Sequence, residues 1–372
     1  MFDVLIIGGG IGGSASALRA AQNNMSVLWL TGDKNTRRRS RSQWVVNIDN
    51  MVGLHEDIIK GQIEKTLENA GEDRARQLIQ DQHYTINNRQ IIQNTVQRLQ
   101  KGYQKVHIVN AAARELREEA GRFMVLTDSE EFAGFSAILA TGVMDEQPQI
   151  TKTNPSGIPE RTSKWIYPFA NREQFLYCIR CEGHLTSSDI VAVIGYSPVA
   201  AELSLVLHER YGNPVFILTN GENFTASSEQ VRLLGKYNIE VISDTIVDIL
   251  NEGKNELGGF EFRVHGPVKV RFALVALGIH RVYNELAFQV GAELADPQQP
   301  VDKRHVLINH KSETSIRNLF VVGDAAKRRD EPVMKQIYTA QEYAVRAVDT
   351  IDNRSRRLKR KQLLEELNSL DN

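Results

Sequence analysis

The chain has 372 residues, 41% of them hydrophobic, and a formal net charge of −1. That length exceeds one ordinary core and fits two or three domains, while the near-zero charge gives no whole-protein pull toward nucleic acid or an anionic membrane. Two cysteines in so long a chain argue against a secreted disulfide scaffold and for a reducing compartment.

Phe2-Asp3-Val4-Leu5-Ile6-Ile7 has the apolar continuity of a strand buried on both faces. As a secretory leader the segment is too short and lacks a basic front. No apolar run reaches the length of a membrane span, so the expected location is the cytoplasm. The strand runs into Gly8-Gly9-Gly10-Ile11-Gly12-Gly13, and Ser14–Ala21 reads as a small-residue helix that can lie close to a sheet. Val27–Leu30 is the partner strand. Gly8, Gly10 and Gly13 form G-x-G-x-x-G at a strand–helix junction, the pattern that admits a dinucleotide pyrophosphate to the helix N-terminus. Thr31-Gly32 stands where a ribose-binding acid is expected, so ribose binding must differ from the simple fingerprint.

Arg37–Arg41 is a basic run whose readings are a solvated loop or a contact to phosphate or an acidic partner. Gln43 opens a segment that ends at the turn Asn50-Met51-Val52-Gly53. Helical patterns cover Glu56–Gln82 and Arg89–Leu99, Val106–Val109 is a strand, and Arg114–Thr127 alternates as a hairpin. Phe135–Ala140 is a further strand ending in Ala140-Thr141-Gly142, where small residues suit close approach to a cofactor. Residues 148–168 read as a linker.

Cys178-Ile179-Arg180-Cys181-Glu182-Gly183-His184 follows. Two residues between the cysteines allow a disulfide, with one thiolate to attack and the other to resolve. The competing readings are buried structural cysteines or half of a zinc site. Zinc needs four ligands, and the chain offers no second CxxC and no His-x₃-His nearby, so no metal is expected. With the glycine fingerprint, the pair points to a flavin-linked disulfide oxidoreductase. A second βαβ unit follows: strand Ile190–Ile194, the turn Gly195-Tyr196-Ser197-Pro198-Val199-Ala200, a helix over Ala201–Arg210 and strand Val215–Leu218. The pattern predicts another strand over Val268–Leu277. Near the end, strand Leu319–Val322 leads into Gly323-Asp324, Lys335–Val348 is helical, and Arg354–Asn372 is an amphipathic tail, basic then acidic, that reads as a surface or partner-facing helix with a frayed end as the alternative.

In order and spacing the glycine turn, Leu30-Thr31-Gly32, Asn50–Gly53, Ala140–Gly142, Cys178–Gly183, Ala276-Leu277-Gly278, Gly323-Asp324 and Lys335-Gln336-Ile337 resemble the low-molecular-weight thioredoxin reductases up to about Ile351. The resemblance implies an α/β fold of two Rossmann-like dinucleotide-binding domains, the second inserted in the first. An FAD-binding domain would comprise residues 1–147 and 284–351, a central module carrying the CxxC residues 169–283, and the tail residues 352–372. It also implies one FAD, a homodimer and a thioredoxin-like protein disulfide as substrate. Matched positions assign FAD contacts to Gly8, Gly10, Ile11, Gly12, Gly13, Thr31, Gly32, Gln43, Asn50, Ala140, Thr141, Gly142, Gly323, Asp324, Lys335, Gln336 and Ile337. Cys181 matches the flavin-facing cysteine, and Cys178 the one that attacks substrate. Glu182 stands where the family has an aspartate acid/base, with His184 as a rival proton carrier.

The chain departs from the family at its nicotinamide site. Tyr196 and Ser197 replace glycines after Gly195, and Leu218-Thr219-Asn220-Gly221 lacks the cations that grip a 2′-phosphate. NADPH is therefore not the expected donor. Ferredoxin, docking on Arg37–Arg41 or Arg354–Lys361, or a second flavin at Gly195, Tyr196 and Ser197 would replace it. An NADH-linked reductase, an oxygen-linked dithiol oxidase and a non-enzymatic flavin redox sensor are the alternatives.

Overall fold

The computed structural model describes residues 1–38, 40–48, 50–53, 86–153, 156–166, 169, 174–251 and 256–370. The helical pattern over Glu56–Gln82 lies outside them. The chain divides into two compact units, one of Met1–Gln43, Asn88–Met144 and Arg281–Asn372, the other of Trp44–Asn87 and Asp145–His280.

In the first unit β1 (Phe2–Ile7) leads through the glycine turn into α1 (Ile11–Gln22) and back to β2 (Val27–Leu30). With β3 (Val106–Val109), β4 (Glu115–Glu119), β5 (Arg122–Leu126) and β6 (Glu131–Leu139) they form a sheet in the order β3-β2-β1-β6-β5-β4. The strand Leu319–Val321 pairs with β6. β1 lies between two parallel neighbours, with Ile6 opposite both Trp29 and Ile138. Both its faces are therefore covered, and Val4, Leu5 and Ile6 are buried as an unbroken apolar run requires. Removing each such side chain from water contributes roughly 1.5–3 kcal/mol.

Small residues let α1 sit close to this sheet: Ser16, Ala17, Ala20 and Ala21 are its buried stripe, at helical spacing. A Cβ at Gly13 would run into the Gly8 carbonyl, so the turn closes only with glycine there. Trp29 ties β2 to the same turn, its Nε1 donating to Gly8 O at 2.9 Å. The C-terminal helix, Ile337–Leu370, crosses α1 and is joined to it by Arg19 Nε on Asp349, 2.8 Å.

The second unit holds the sheet β7 (Phe175–Leu176), β8 (Val191–Ile194), β9 (Val215–Leu218), β10 (Glu240–Ile242) and β11 (Phe272–Val275). Its order is β7-β11-β8-β9-β10, all parallel. Between β7 and β8 lies the single turn α2 (Ile179–Glu182). α3 (Pro198–Tyr211) connects β8 to β9, and α4 (Ser228–Lys236) connects β9 to β10. α3 begins three residues before the expected Ala201, because Pro198 at its first position fits a helix start; the Ser197 carbonyl accepts the first helical N–H, from Ala200 at 2.9 Å, while its side chain makes no cap. α4 carries a reciprocal cap, Ser227 Oγ accepting from Gln230 N and Gln230 Oε1 from Ser227 N.

Two expectations change. Residues 148–168 are not a plain linker: Ile150–Thr153 pairs antiparallel with Pro159–Thr162, and Lys152 bridges Asp248 at 2.7 Å. The β-branched Ile150, Thr151 and Thr153 suit a strand more than the polar composition suggests. The strand over Val268–Leu277 divides between two sheets: Val268–Lys269 joins an antiparallel one, and β11 the parallel one. The tail is helical as far as Leu370 and continues the C-terminal helix. Arg354 fastens it, its Nη2 donating to the buried Glu313 at 2.7 Å, so this half-buried arginine already has an internal partner. Beyond it Leu358, Leu363, Leu364 and Leu367 are exposed. No helix of the described residues is long and apolar enough to cross a membrane.

Candidate active site

Gly10 is the N-cap of α1, with φ −84° and ψ −170°. A Cβ built on it would meet nothing of the described residues within 4 Å, whereas at Gly8 it would strike the Ala140 carbonyl. The turn is thus closed on its protein side and open above the helix N-terminus. Such a cradle, which a side chain at Gly10 would fill, fits the pyrophosphate of a dinucleotide. Gly142, with φ +73°, likewise has no atom of the described residues within 4 Å of an added Cβ.

The surrounding residues are organised by polar contacts. Thr31, at the end of β2, donates to Asn110 Oδ1 at 2.7 Å, and Arg37 Nη2 reaches the same oxygen at 2.6 Å. Arg37 Nε also donates to Gly32 O at 3.2 Å. Arg41, only 12% exposed, lies 3.7 Å from Asp324. The run Arg37–Arg41 is therefore not simply a solvated face, since two of its arginines bind back to the strand ends where the fingerprint residues lie. Gly12 packs under Val322 and Gly323, which brings the turn and Gly323-Asp324 together. Thr141 and Gly142 hydrogen-bond Tyr283 through the Thr141 hydroxyl and the Gly142 carbonyl. Lys335 and Gln336 lead into the C-terminal helix, which starts at Ile337. Asn50 is half-buried and belongs to the other unit, and the side chain of Gln43 lies outside the described atoms.

Near Lys335 a buried histidine escaped notice in the sequence. Burial, reinforced by Lys335 and Lys327, pushes His305 down to about 4, against a smaller opposing pull from Asp296. No described group bonds its Nε2. The unfolded histidine takes up its proton near 6.5, and the folded one declines it until about 4. Stability therefore rises with pH across that window and is lost as pH falls through it. We expect His305→Leu to flatten this acid limb by roughly 3 kcal/mol, read from denaturant midpoints between pH 7 and pH 4. Parallel wild-type and variant curves would refute it.

In the second unit Cys178 and Cys181 form a disulfide, with Cα atoms 5.3 Å apart. Cys178 is the N-cap of α2 and its carbonyl accepts from Cys181 N and Glu182 N, at 3.0 and 2.9 Å. Glu182 is buried, and its Oε2 accepts from Tyr177 N at 2.9 Å and Cys178 N at 3.0 Å. Tyr177 OH donates to Gln147 Oε1 at 2.7 Å, and Gln147 Nε2 to Asp145 O at 3.0 Å. His184 is exposed on the following turn, Gly183–Thr186. Sequence reasoning missed Tyr177 and Gln147, whose only signal is the tyrosine directly before Cys178. No cluster of three metal-binding side chains occurs among the described residues.

At the start of α3 a Cβ on Gly195 would lie 2.8 Å from both Ala200 Cβ and Ala276 O, so this glycine serves packing. Tyr196 is 39% exposed, and its carbonyl accepts from Thr225 N at 2.8 Å. Asn220, at φ +55°, donates to Gln149 O and accepts from Ile246 N.

A family profile described as pyridine nucleotide-disulphide oxidoreductase matches residues 2–344. The chain belongs to this family. Among solved structures, it is similar to HlmI, at 17% identity and TM-score 0.72, covering 100% of this chain and 97% of that one. Thioredoxin reductase from Streptococcus pyogenes gives 16% identity and TM-score 0.68, covering 94% and 97%. That from Giardia duodenalis gives 15% and 0.67, covering 95% and 98%. At these identities the likeness shows the fold: two Rossmann-like units of the thioredoxin reductase kind. No curated protein sequence matches. Family, fold and the Cys178–Cys181 disulfide make the chain a flavin-dependent disulfide oxidoreductase.

Proposed function

We propose that this oxidoreductase carries one FAD in its first unit and reduces a protein disulfide of thioredoxin type, with a donor other than NADPH. The observation that carries the donor is the second unit's βα turn. A nicotinamide dinucleotide phosphate needs glycine backbone at its pyrophosphate and cations at its 2′-phosphate. Tyr196 and Ser197 stand at the first, and no Lys or Arg occurs from Thr219 to Val231. Thr225 is fastened to the turn, and the Asn220 amide is engaged with backbone on both sides. Bound FAD supplies two-electron exchange with a disulfide. On the protein, the Cys178 thiolate attacks one substrate sulfur and expels the other as a thiolate. Cys181 then attacks the Cys178 sulfur, frees the second substrate thiol and restores the Cys178–Cys181 bond. A homodimer in the cytoplasm, with ferredoxin or a second flavin as electron source, completes the reading. The exposed Tyr196 ring favours the second flavin, for which it offers a stacking face.

Losing two charge-assisted phosphate contacts weakens binding by roughly 10²-fold or more. In anaerobic stopped-flow, micromolar NADPH should therefore leave the flavin oxidised over the time in which a competent donor bleaches it. Rapid bleaching by NADPH would sink this reading of the donor. Two FAD released per chain would select the second flavin, and bleaching by reduced ferredoxin the iron–sulfur donor.

A further inference from the structure

We propose that Glu182 is a positioning residue, which sets the backbone of Cys178 and does not carry protons for the thiols. The inference rests on Cys178 and Cys181 being the redox pair.

α2 is one turn long, and a single turn has no stability of its own. Its N-cap, Cys178, is extended at φ −148° and ψ 103°, and the cysteine side chain does not cap the turn. Glu182 supplies what is missing. Its Oε2 reaches back along the turn to the Cys178 N–H at 3.0 Å and takes the Tyr177 N–H at 2.9 Å as well. This is the return half of a capping box, made from the fourth helical position instead of the third. The Cys178 carbonyl is held in turn by the Cys181 and Glu182 N–H groups. Both polar backbone atoms of Cys178 are thus tied to residues of the turn that carries Cys181. Tyr177 is fixed at its far end too, through its hydroxyl on Gln147. At 9% exposure the carboxylate lies beneath the cysteines' backbone.

When the disulfide opens, these contacts keep the two cysteines at closing distance. Holding the backbone needs only an acceptor oxygen, which an amide also supplies, though more weakly than a carboxylate. Proton transfer asks for a group that ionises, which an amide cannot replace.

The test compares Glu182→Gln with Glu182→Ala in the flavin-loaded protein. The Cys178–Cys181 pair is equilibrated with defined ratios of reduced and oxidised dithiothreitol, quenched in acid and counted by thiol alkylation; turnover of a protein disulfide is followed against pH. For the clamp, Glu182→Ala shifts the equilibrium toward the dithiol by about tenfold or more and lowers turnover comparably, while Glu182→Gln stays within about threefold of wild type. The pH profile of Glu182→Gln then matches wild type. A Glu182→Gln enzyme as impaired as Glu182→Ala, with a limb of its pH profile gone, would overturn the proposal in favour of a proton carrier. An unchanged equilibrium in Glu182→Ala would also overturn it. If Glu182→Ala fails to fold, the Glu182→Gln pH profile decides alone. Absence of turnover in wild type would count against the functional reading, while the dithiothreitol equilibrium still decides the clamp.

Discussion

Cys178→Ser and Cys181→Ser should each abolish reduction of a protein disulfide while leaving the flavin bound. A thiolate is needed to attack a disulfide, and a second thiolate to release the product from the mixed disulfide. Serine can do neither, since its hydroxyl neither ionises in this range nor forms a bond that exchange can break. The loss should be of the order met when a covalent nucleophile is removed, roughly 10⁴-fold or more. Cofactor retention should be unaffected, because the cysteines lie in the second unit and the glycine turn in the first. The fold should hold as well. Cys178 is anchored by backbone contacts to Cys181 and Glu182 that a serine keeps. The measurements are the flavin spectrum of the purified variants and insulin or thioredoxin disulfide reduction with dithionite-reduced enzyme. Wild-type turnover in either variant would mean that the disulfide is structural.

Much of this architecture was legible in the chain because it rests on local rules. The run from Val4 to Ile7 is apolar without a break, so it must be covered on both faces, and Gly8 to Gly13 can only be a tight turn into a helix. The second βαβ unit follows the same logic from Val191 to Leu218. The contacts that were not legible join residues far apart or depend on backbone direction. Arg41 meets Asp324 across most of the chain, and nothing near either residue announces the other. Arg354 reads as one more cation of a basic tail, yet it neutralises a carboxylate that burial would otherwise raise and that Arg354 and the Asn318 N–H hold below its usual range. Asn220 occupies the place of an expected cation, and only the structure shows its amide joined to Gln149 and Ile246. Glu182 was legible as a carboxylate beside Cys181. That it bends back to Cys178 N follows from the single turn of helix between them.

Gly10→Val should give a folded, colourless protein. Gly10 differs from the other glycines of the motif in what surrounds it. At Gly8 and Gly13 an added Cβ would meet backbone carbonyls of Ala140 and Gly8, so substitution there attacks the fold and the cofactor together. At Gly10 no atom of the described residues lies within 4 Å of the added Cβ, and φ −84° with ψ −170° is extended backbone that valine adopts readily. The cost to the helix cap is small, since Gly10 makes no side-chain contact there and an apolar residue at an N-cap loses only a few tenths to about 1 kcal/mol. The isopropyl group instead enters the space over the N-terminus of α1, where the pyrophosphate would meet backbone N–H groups and the positive end of the helix. Displacing two charge-assisted hydrogen bonds there should raise the FAD dissociation constant by roughly 10²-fold or more. Circular dichroism and the apo-protein melting temperature should match those of flavin-stripped wild type, while absorbance at 450 nm is lost on gel filtration. A variant that keeps one FAD per chain would show that the flavin lies elsewhere, and one that unfolds would show that Gly10, like Gly13, is needed for the turn itself.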